Sequence, residues 1–165
     1  MASGARAFGH PIHPTLIGFP IGLFGTAVIF DIISMITGSP TWRHVGFYMI
    51  GAGVIAGLVA AVFGLMDWLA ITSGTRAKRV GGIHGVGNVV LVVLFAASWW
   101  LRLPQPTEPT KLALTLSFLG AALAIYTGWL GGELVFKHAV GVEQDPGPDW
   151  QRPEQPPGAI QRSLD

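Results

Sequence analysis

Histidines at the start of apolar segments are the residues of this chain whose type and spacing could do chemistry. His10 and His13, each followed by proline, stand immediately before a long apolar run that begins near Thr15. A proline disfavours helical backbone in the residue before it, so both histidines are expected in an extended or turn conformation. Imidazole binds metals and haem iron, and it transfers protons near neutral pH. These two rings are therefore candidate ligands at one end of a hydrophobic segment.

Four further ionisable residues fall at the same level if the apolar runs are helices. They are Asp67, His84, Glu133 and His138. At a rise of 1.5 Å per residue, they lie with His10 and His13 within roughly two turns of one end of the segments. Ionisable groups inside a membrane are costly and usually face a bundle interior or a cavity. The cluster therefore indicates a functional site in which neutral imidazoles bind a metal and carboxylates attract a cation.

The composition sets the environment of these residues. Of 165 residues, 50% are hydrophobic and 12% are charged, whereas soluble domains carry about 25% charged residues. The chain has no cysteine, which excludes disulfides, thiol chemistry and iron–sulfur ligation by its own residues. A net charge of +1 gives no indication of nucleic-acid binding. The composition predicts an integral membrane protein in a lipid bilayer.

Four apolar runs are each long enough to cross a bilayer core of roughly 30 Å, which takes about 20 helical residues. They cover residues 15–36, 44–71, 80–101 and 111–136. The predicted fold is all-α, an integral membrane four-helix bundle with up-down-up-down topology, within a domain of residues 1–142. The polar, proline-rich residues 143–165 predict a disordered tail that has little to bury.

The basic residues predict the orientation of the bundle. We call side A the side that holds both termini and the loop between the second and third spans, and side B the opposite side. Seven of the ten basic residues fall on side A and three, Arg43, Arg102 and Lys111, on side B. Because basic residues concentrate in cytoplasmic loops, both termini are expected in the cytoplasm.

The two halves of the apolar region share an order of polar residues. A histidine opens the first helix of each half, and a carboxylate closes the second. His13 and Asp67 hold these positions in the first half, and His84 and Glu133 in the second. This order hints at an internal duplication, in which two parallel halves would bring both histidines and both acids to side A.

Several of these residues also have a purely structural interpretation. His84 is four residues before Asn88, and Glu133 is four residues before Lys137, so each pair would share a helix face. Gly53 and its neighbour Gly57 form a G-x-x-x-G spacing that favours close helix packing. Missing side chains could equally make room for a flat macrocycle between helices. The sequence leaves these alternatives open.

Four motifs carry a resemblance to a known family. The stretches GHPIHPTLIGFPIGLF, GLMDW, GGIHGVGN and GWLGGELVFKHAVGV resemble the bacterial four-span membrane family called domain of unknown function 2231, over about Phe8 to Val142. The resemblance implies a four-helix protein of the bacterial inner membrane. Some relatives are joined to Rieske-type or c-type haem domains, which implies a link to electron transfer. The motif positions carried over are His10, His13, Asp67, His84 and Glu133.

The predicted function is a small redox subunit, b-type cytochrome-like, that exchanges electrons with a membrane quinone and a partner protein. In this hypothesis His13 and His84 are the axial ligands of haem b, and His10 and His138 are the substitutes. Arg76, Lys78 and Arg79 would pair with the haem propionates through charge-assisted hydrogen bonds. Asp67 would accept a hydrogen bond from a ligand histidine and so orient it.

Two alternatives belong to other classes. The first is a non-haem zinc or iron site, because both metals accept histidine together with carboxylate. Its ligands would be His10, His13, His84, Asp67 and Glu133. The second is an accessory subunit without a cofactor, in which the polar cluster only locks the bundle. A homo-oligomer is compatible with all three hypotheses.

Overall fold

A computed structural model describes residues 6–8 and 10–140 of the chain, so the predicted tail of residues 143–165 lies outside the described residues. The helices are α1 Ile12–Leu16, α2 Gly18–Thr37, α3 Pro40–Ala70, α4 Arg76–Arg102 and α5 Lys111–Phe136. Before α1, a two-residue strand β1, Arg6–Ala7, pairs antiparallel with β2, His10–Pro11.

Four helical segments are long and apolar enough to cross a membrane. They are α1 with α2, then α3, α4 and α5, and they span 26, 31, 27 and 26 residues. The segments pack against each other, which confirms the predicted all-α membrane bundle. Their exposed surface is rich in large apolar side chains, as expected where lipid replaces water around the bundle.

The helix ends follow from local chemistry. Pro40 occupies the first position of α3, where its missing N–H costs nothing. The hydroxyls of Thr75 and Thr110 accept hydrogen bonds from backbone N–H groups in the first turns of α4 and α5, and so cap them. Gly38 closes α2 in the left-handed conformation at φ 70°, which glycine adopts without steric cost. These signals place the ends of the helices outside the purely apolar runs.

The first span is broken near its side A end. Helix α1 stops at Leu16, and α2 starts at Gly18. Pro20 has no N–H to donate to the Leu16 carbonyl, and its ring clashes with that carbonyl. The break holds α1, with His13 in its first turn, as a separate short segment against α3.

The long helices form two hairpins that pack side by side. Helix α2 packs most extensively on α3, and α4 on α5; α3 also packs on α4, and α2 more lightly on α5. Helices α2 and α4 therefore lie across the diagonal of the bundle. They meet at its centre through Phe24 and Phe95, whose rings stack 3.9 Å apart between centroids with planes at 7°.

Equivalent contacts recur in the two halves. Phe24 and Phe95 are 71 residues apart, as are His13 and His84. The glycines that face the two phenylalanine rings, Gly53 in α3 and Gly120 in α5, are 67 residues apart. The repeated contacts relate the halves by an approximate two-fold axis through the Phe24–Phe95 stack. An internal repeat of this kind agrees with the shared order of histidines and carboxylates in the sequence.

Candidate functional site

His13 and His84 meet on the two-fold axis near side A. Their ring centroids are 6.5 Å apart and their planes are crossed at 84°. Nδ1 of His13 donates to the main-chain carbonyl of Ala60 in α3 at 3.0 Å. Nδ1 of His84 donates to the main-chain carbonyl of Thr127 in α5 at 2.9 Å. Because a carbonyl only accepts, Nδ1 carries the proton in both rings, and Nε2 is left with a lone pair.

A glycine makes room for each imidazole. A Cβ on Gly64 would lie 2.9 Å from Cε1 of His13, and a Cβ on Gly131 would lie 3.1 Å from Cε1 of His84. Each glycine follows the carbonyl acceptor of its histidine by four residues, which places both on one helix face. In both halves of the protein, the helix that accepts the hydrogen bond of the histidine therefore also packs against its ring through a glycine.

Asn88 completes the surroundings of His84. Its Nδ2 atom donates to Nε2 of His84 at 3.0 Å and to the main-chain carbonyl of the same residue at 2.9 Å. This contact between residues four apart in α4 is the purely structural role that the sequence analysis considered for His84. The lone pair of His84 is thus occupied by an amide from its own helix. At the corresponding position in the first half stands Ile17, which has no polar side chain.

Glu133 is held by cations at the end of α5. Its Oε1 lies 3.3 Å from Nη2 of Arg76 and 3.8 Å from Nζ of Lys137. Nε2 of His138 is 4.0 Å from the same oxygen and makes no hydrogen bond. The structural interpretation of Glu133, pairing with nearby basic residues, is therefore present. These contacts form a group separate from the crossed histidine rings.

His10 and Asp67 lie at the predicted level, near side A. His10 is exposed, and its Nδ1 is 3.0 Å from the main-chain carbonyl of Phe8. Asp67 is half-buried near the end of α3. The acceptors at Nδ1 of His13 and His84 are the main-chain carbonyls of Ala60 and Thr127.

The predicted metal ligands are not gathered into one cluster. Within residues 6–8 and 10–140, no group of three or more histidine, aspartate or glutamate side chains is placed to hold a metal ion. Of the five residues proposed as ligands, the structure brings His13 and His84 together. A common depth in the membrane is thus not the same as a common site, because each helix also has a rotation about its own axis.

Two of the basic residues assigned to haem propionates face away from the histidines. Lys78 and Arg79 line a groove on the outer side of α4, together with Ile83 and Val86. Positions 79, 83 and 86 repeat at helical spacing, and the face that they define does not include His84. The third, Arg76, is the partner of the carboxylate in α5.

The sequence interpretation missed the most buried polar group of the bundle. Near side B, Arg102 makes a bidentate ion pair with Asp31, with Nη1–Oδ1 and Nη2–Oδ2 distances of 2.8 and 2.7 Å. Ser98 accepts from Nε at 3.3 Å, and Ser117 accepts from Nη2 at 3.1 Å. All four side chains are buried. Four of the five N–H donors of Arg102 therefore have partners, and both carboxylate oxygens of Asp31 are bonded, which offsets the cost of burying the two charges.

One signal in the sequence could have found this pair. Asp31 and Arg102 are 71 residues apart, the separation that also relates the two histidines and the two stacked phenylalanines. The dipeptides Ile-His and Leu-Phe recur at the same separation. Residues at equivalent positions of a two-fold repeat meet on its axis when they point inward. A search for that one separation would have paired the aspartate with the arginine.

The fold and these polar contacts define a class of protein. Four apolar helices enclose two polar groups, the crossed histidines near side A and the ion pair near side B, so the chain is a multi-pass membrane protein. A family model described as a predicted membrane protein, domain of unknown function 2231, matches residues 9–144. The chain belongs to this family. No curated protein and no solved structure matches it.

Proposed function

We propose that this protein is a small membrane redox subunit in which His13 and His84 hold a b-type haem near side A. The observation that carries the proposal is the pairing of two imidazoles from opposite halves, each with Nδ1 bonded to a carbonyl and Nε2 directed elsewhere. A ligand histidine typically donates its second ring N–H to such an acceptor, which fixes its orientation and strengthens the ligand nitrogen.

The separation of the rings fits a shared iron. Two imidazoles on one metal stand roughly 6 Å apart between ring centres, since each metal–nitrogen bond is about 2 Å long. The observed separation is 6.5 Å. Crossed planes are compatible with this arrangement, because bonding to a metal through one nitrogen sets no fixed angle between the two ring planes. Haem held there would supply one-electron transfer through its iron.

The residues of the chain have definite tasks in this proposal. The carbonyls of Ala60 and Thr127 hold the two rings, and the surrounding apolar helices keep water away from them. Asn88 must turn from Nε2 of His84 before that nitrogen can bind a metal. Lys78 and Arg79 have no part, because they line the opposite face of α4. Electrons would pass between a membrane quinol and a partner protein.

The location proposed is the bacterial inner membrane with both termini in the cytoplasm. The charge asymmetry between the two sides supports this orientation. Of the three basic residues on side B, Arg102 is buried and neutralised by Asp31, so two remain to interact with the membrane surface. The sequence assigns seven basic residues to side A, two of which, Arg76 and Lys137, contact Glu133. The excess of positive charge stays on side A, and positive charge is retained on the cytoplasmic side.

The test is an absorption spectrum of the full chain, expressed with added haem, purified in mild detergent and then reduced with dithionite. We expect a Soret band and sharp reduced bands that are lost in His13→Ala and His84→Ala. His44→Ala is the matched control, because His44 is exposed near side B and stacks on Tyr48. Asn88→Leu should keep or raise the haem content, since it removes the group that competes for Nε2.

Two results would overturn the haem proposal. One is a flat visible spectrum from protein that is helical and monodisperse. The other is a haem band that persists in both histidine variants. Metal analysis of the same sample then separates the alternatives. Stoichiometric zinc or iron without a Soret band would indicate a non-haem site on the histidine pair, completed by ligands from outside it.

A cofactor-free accessory subunit is the second candidate, and one observation favours it. Nδ1 of both rings and Nε2 of His84 already have partners within the bundle. In that case His84→Ala should lower the thermal stability of the protein in detergent without removing any chromophore or metal.

A further inference from the structure

A groove runs along the outer face of α4 near side A. Its volume is about 700 Å³. It is bounded by the end of α3, the loop that follows α3, the first three turns of α4 and a tyrosine of α5. Residues that shape it include Trp68, Thr75, Lys78, Arg79, Val86 and Tyr126. The groove lies outside the histidine pair and has no role in the redox proposal.

The groove is charged at one end and apolar along the rest of its length. Lys78 and Arg79 stand at the start of α4, where the helices leave the bilayer. Val86 lies seven residues further along the helix than Arg79, or about 10 Å deeper at 1.5 Å per residue. Among the residues that line the groove in the described part of the chain, none is acidic. The groove thus has the polarity of a lipid, with a cationic mouth above an apolar slot.

Lys78 is held in place rather than free to move. Its Nζ donates to the main-chain carbonyl of Trp68 at 2.6 Å and lies 4.0 Å from the centre of the Trp68 ring. The indole N–H in turn donates to the main-chain carbonyl of Lys78 at 3.0 Å. An ammonium group has three donors, so two remain for a ligand. Arg79 is exposed and has no ion-pair partner among the described residues.

We propose that this groove binds an anionic phospholipid, with its phosphate between Lys78 and Arg79 and one acyl chain along Val86 and Tyr126. The indole of Trp68 forms the wall between head group and chain, the depth at which tryptophan is enriched in membrane proteins. A quinone is a weaker match, because its neutral head group leaves two cations unpaired. A second helix of protein is also a weaker match, because it would bury both cations without a partner.

The test measures quenching of tryptophan fluorescence by brominated phospholipids added to the delipidated full chain in detergent. Brominated phosphatidylglycerol and phosphatidylcholine with the same chains are compared, so that only the head group differs. We expect tighter binding of phosphatidylglycerol. Arg79→Gln should lower that preference about fivefold, the effect of one basic residue near an anionic lipid surface. Lys111→Gln, an exposed charge on side B, is the matched control and should leave it unchanged.

A second pair of variants tests the apolar slot independently of charge. Val86→Trp fills the slot and should weaken binding of both brominated lipids. Val93→Trp lies two turns further along the same exposed face, outside the groove, and should not. Both are lipid-facing substitutions, so folding of the bundle is preserved and can be verified by helical circular dichroism.

Four outcomes would overturn the proposal. Equal quenching by the two lipids would show that the groove does not select an anionic head group. If Arg79→Gln and Lys111→Gln lowered the preference for phosphatidylglycerol equally, that preference would come from the net charge of the protein and not from the groove. Displacement of phosphatidylglycerol by a short-chain quinone, but not by unbrominated phosphatidylglycerol, would make the groove a quinone site. Competition by glycerol phosphate alone would show that the phosphate site works without the acyl slot, and would equally contradict a lipid site.

Discussion

Arg102→Met is expected to lower the free energy of unfolding of the bundle by roughly 3–5 kcal/mol, because it leaves a buried carboxylate without its partner. Both oxygens of Asp31 are bonded by Arg102, and Asp31 is fully buried between helices. With the guanidinium gone, the hydroxyl of Ser117, 3.3 Å from Oδ2, is the remaining donor to the carboxylate in the described structure. Neither water nor lipid can replace two charge-assisted hydrogen bonds in this position.

The measurement is reversible unfolding in mixed micelles, followed by far-ultraviolet circular dichroism. Lys111→Met is the matched control, since it removes an exposed positive charge from the same side of the bundle. It should change the free energy of unfolding little, as expected for an exposed charge. Equal stability of Arg102→Met and the wild type would show that the ion pair does not support the fold.

A charge swap tests the two-fold relation itself. Asp31→Arg combined with Arg102→Asp places the same two charges on equivalent positions across the axis, so the ion pair can form again. The counterparts of Ser98 and Ser117 in the first half are Ala27 and Ile50, which offer no hydrogen bonds to the new arginine. The double variant should therefore be more stable than either single variant. Its free energy of unfolding should stay below that of the wild type, because one or two hydrogen bonds to the charged guanidinium are missing. Each such bond contributes about 1.5–3 kcal/mol.

Replacing both partners with apolar residues separates stability from pairing specificity. Asp31→Leu with Arg102→Met removes the charges together, and such replacements are often neutral or stabilising. The double variant could be as stable as the wild type and yet form oligomers of several sizes. That result would show that the ion pair makes the two hairpins of one chain pack on each other rather than on those of another chain. If this double variant lost as much stability as Arg102→Met alone, the unpaired carboxylate of Asp31 could not be the cause of the loss in Arg102→Met.

Gly120→Ala is expected to destabilise the bundle by about 1–3 kcal/mol, the usual cost of overpacking a core. A Cβ at this position would lie 2.7 Å from Cε2 of Phe95. The ring cannot yield, because it is fully buried and stacked on Phe24 at 3.9 Å. The added methyl group must therefore push α5 away from α4 or break the stack on the two-fold axis.

The same unfolding measurement checks this prediction, with Gly128→Ala as the control in the same helix. A Cβ on Gly128 meets nothing within 4 Å, so this substitution should be neutral or slightly stabilising through the better helix propensity of alanine. Phe95→Leu should recover part of the stability lost in Gly120→Ala, because it removes the colliding ring atoms. Equal stabilities of the two alanine variants would mean that the close approach at Gly120 is not tight.

The sequence by itself determined the architecture. Apolar runs of the right length predict four membrane spans, and the structure contains them. The helix limits differ because hydropathy detects the part of a helix that lipid surrounds, whereas the helix continues to its capping residues. Thus α3 begins at Pro40 rather than His44, and α4 begins after the Thr75 cap rather than at Val80. The break before Pro20 follows from proline chemistry, although the hydropathy pattern runs through it.

The depth of the candidate ligands also followed from the sequence, since position along a helix fixes height in the membrane. The sequence did not show which groups these candidate ligands would contact. His13 and His84 meet because the short helix before the break and the start of α4 both turn toward the axis, while Glu133 turns toward Arg76. Rotation about the helix axis depends on packing with neighbours, and the apolar pattern of a lipid-exposed helix gives little indication of it.

The glycines show the same division between sequence and tertiary structure. The spacing of Gly53 and Gly57 predicted a close approach of helices, and the structure identifies Phe24 and Val92 as the groups that approach. The ion pair of Asp31 and Arg102 became apparent only in the tertiary structure, because its partners are far apart in the chain and lie on diagonally opposed helices. The 71-residue separation that they share with the two histidines identifies them as a pair only once the two-fold repeat is known. Helix formation in a membrane is local, since each backbone satisfies its own hydrogen bonds. The choice of which polar side chains meet is not local, since it depends on how two hairpins dock about a common axis.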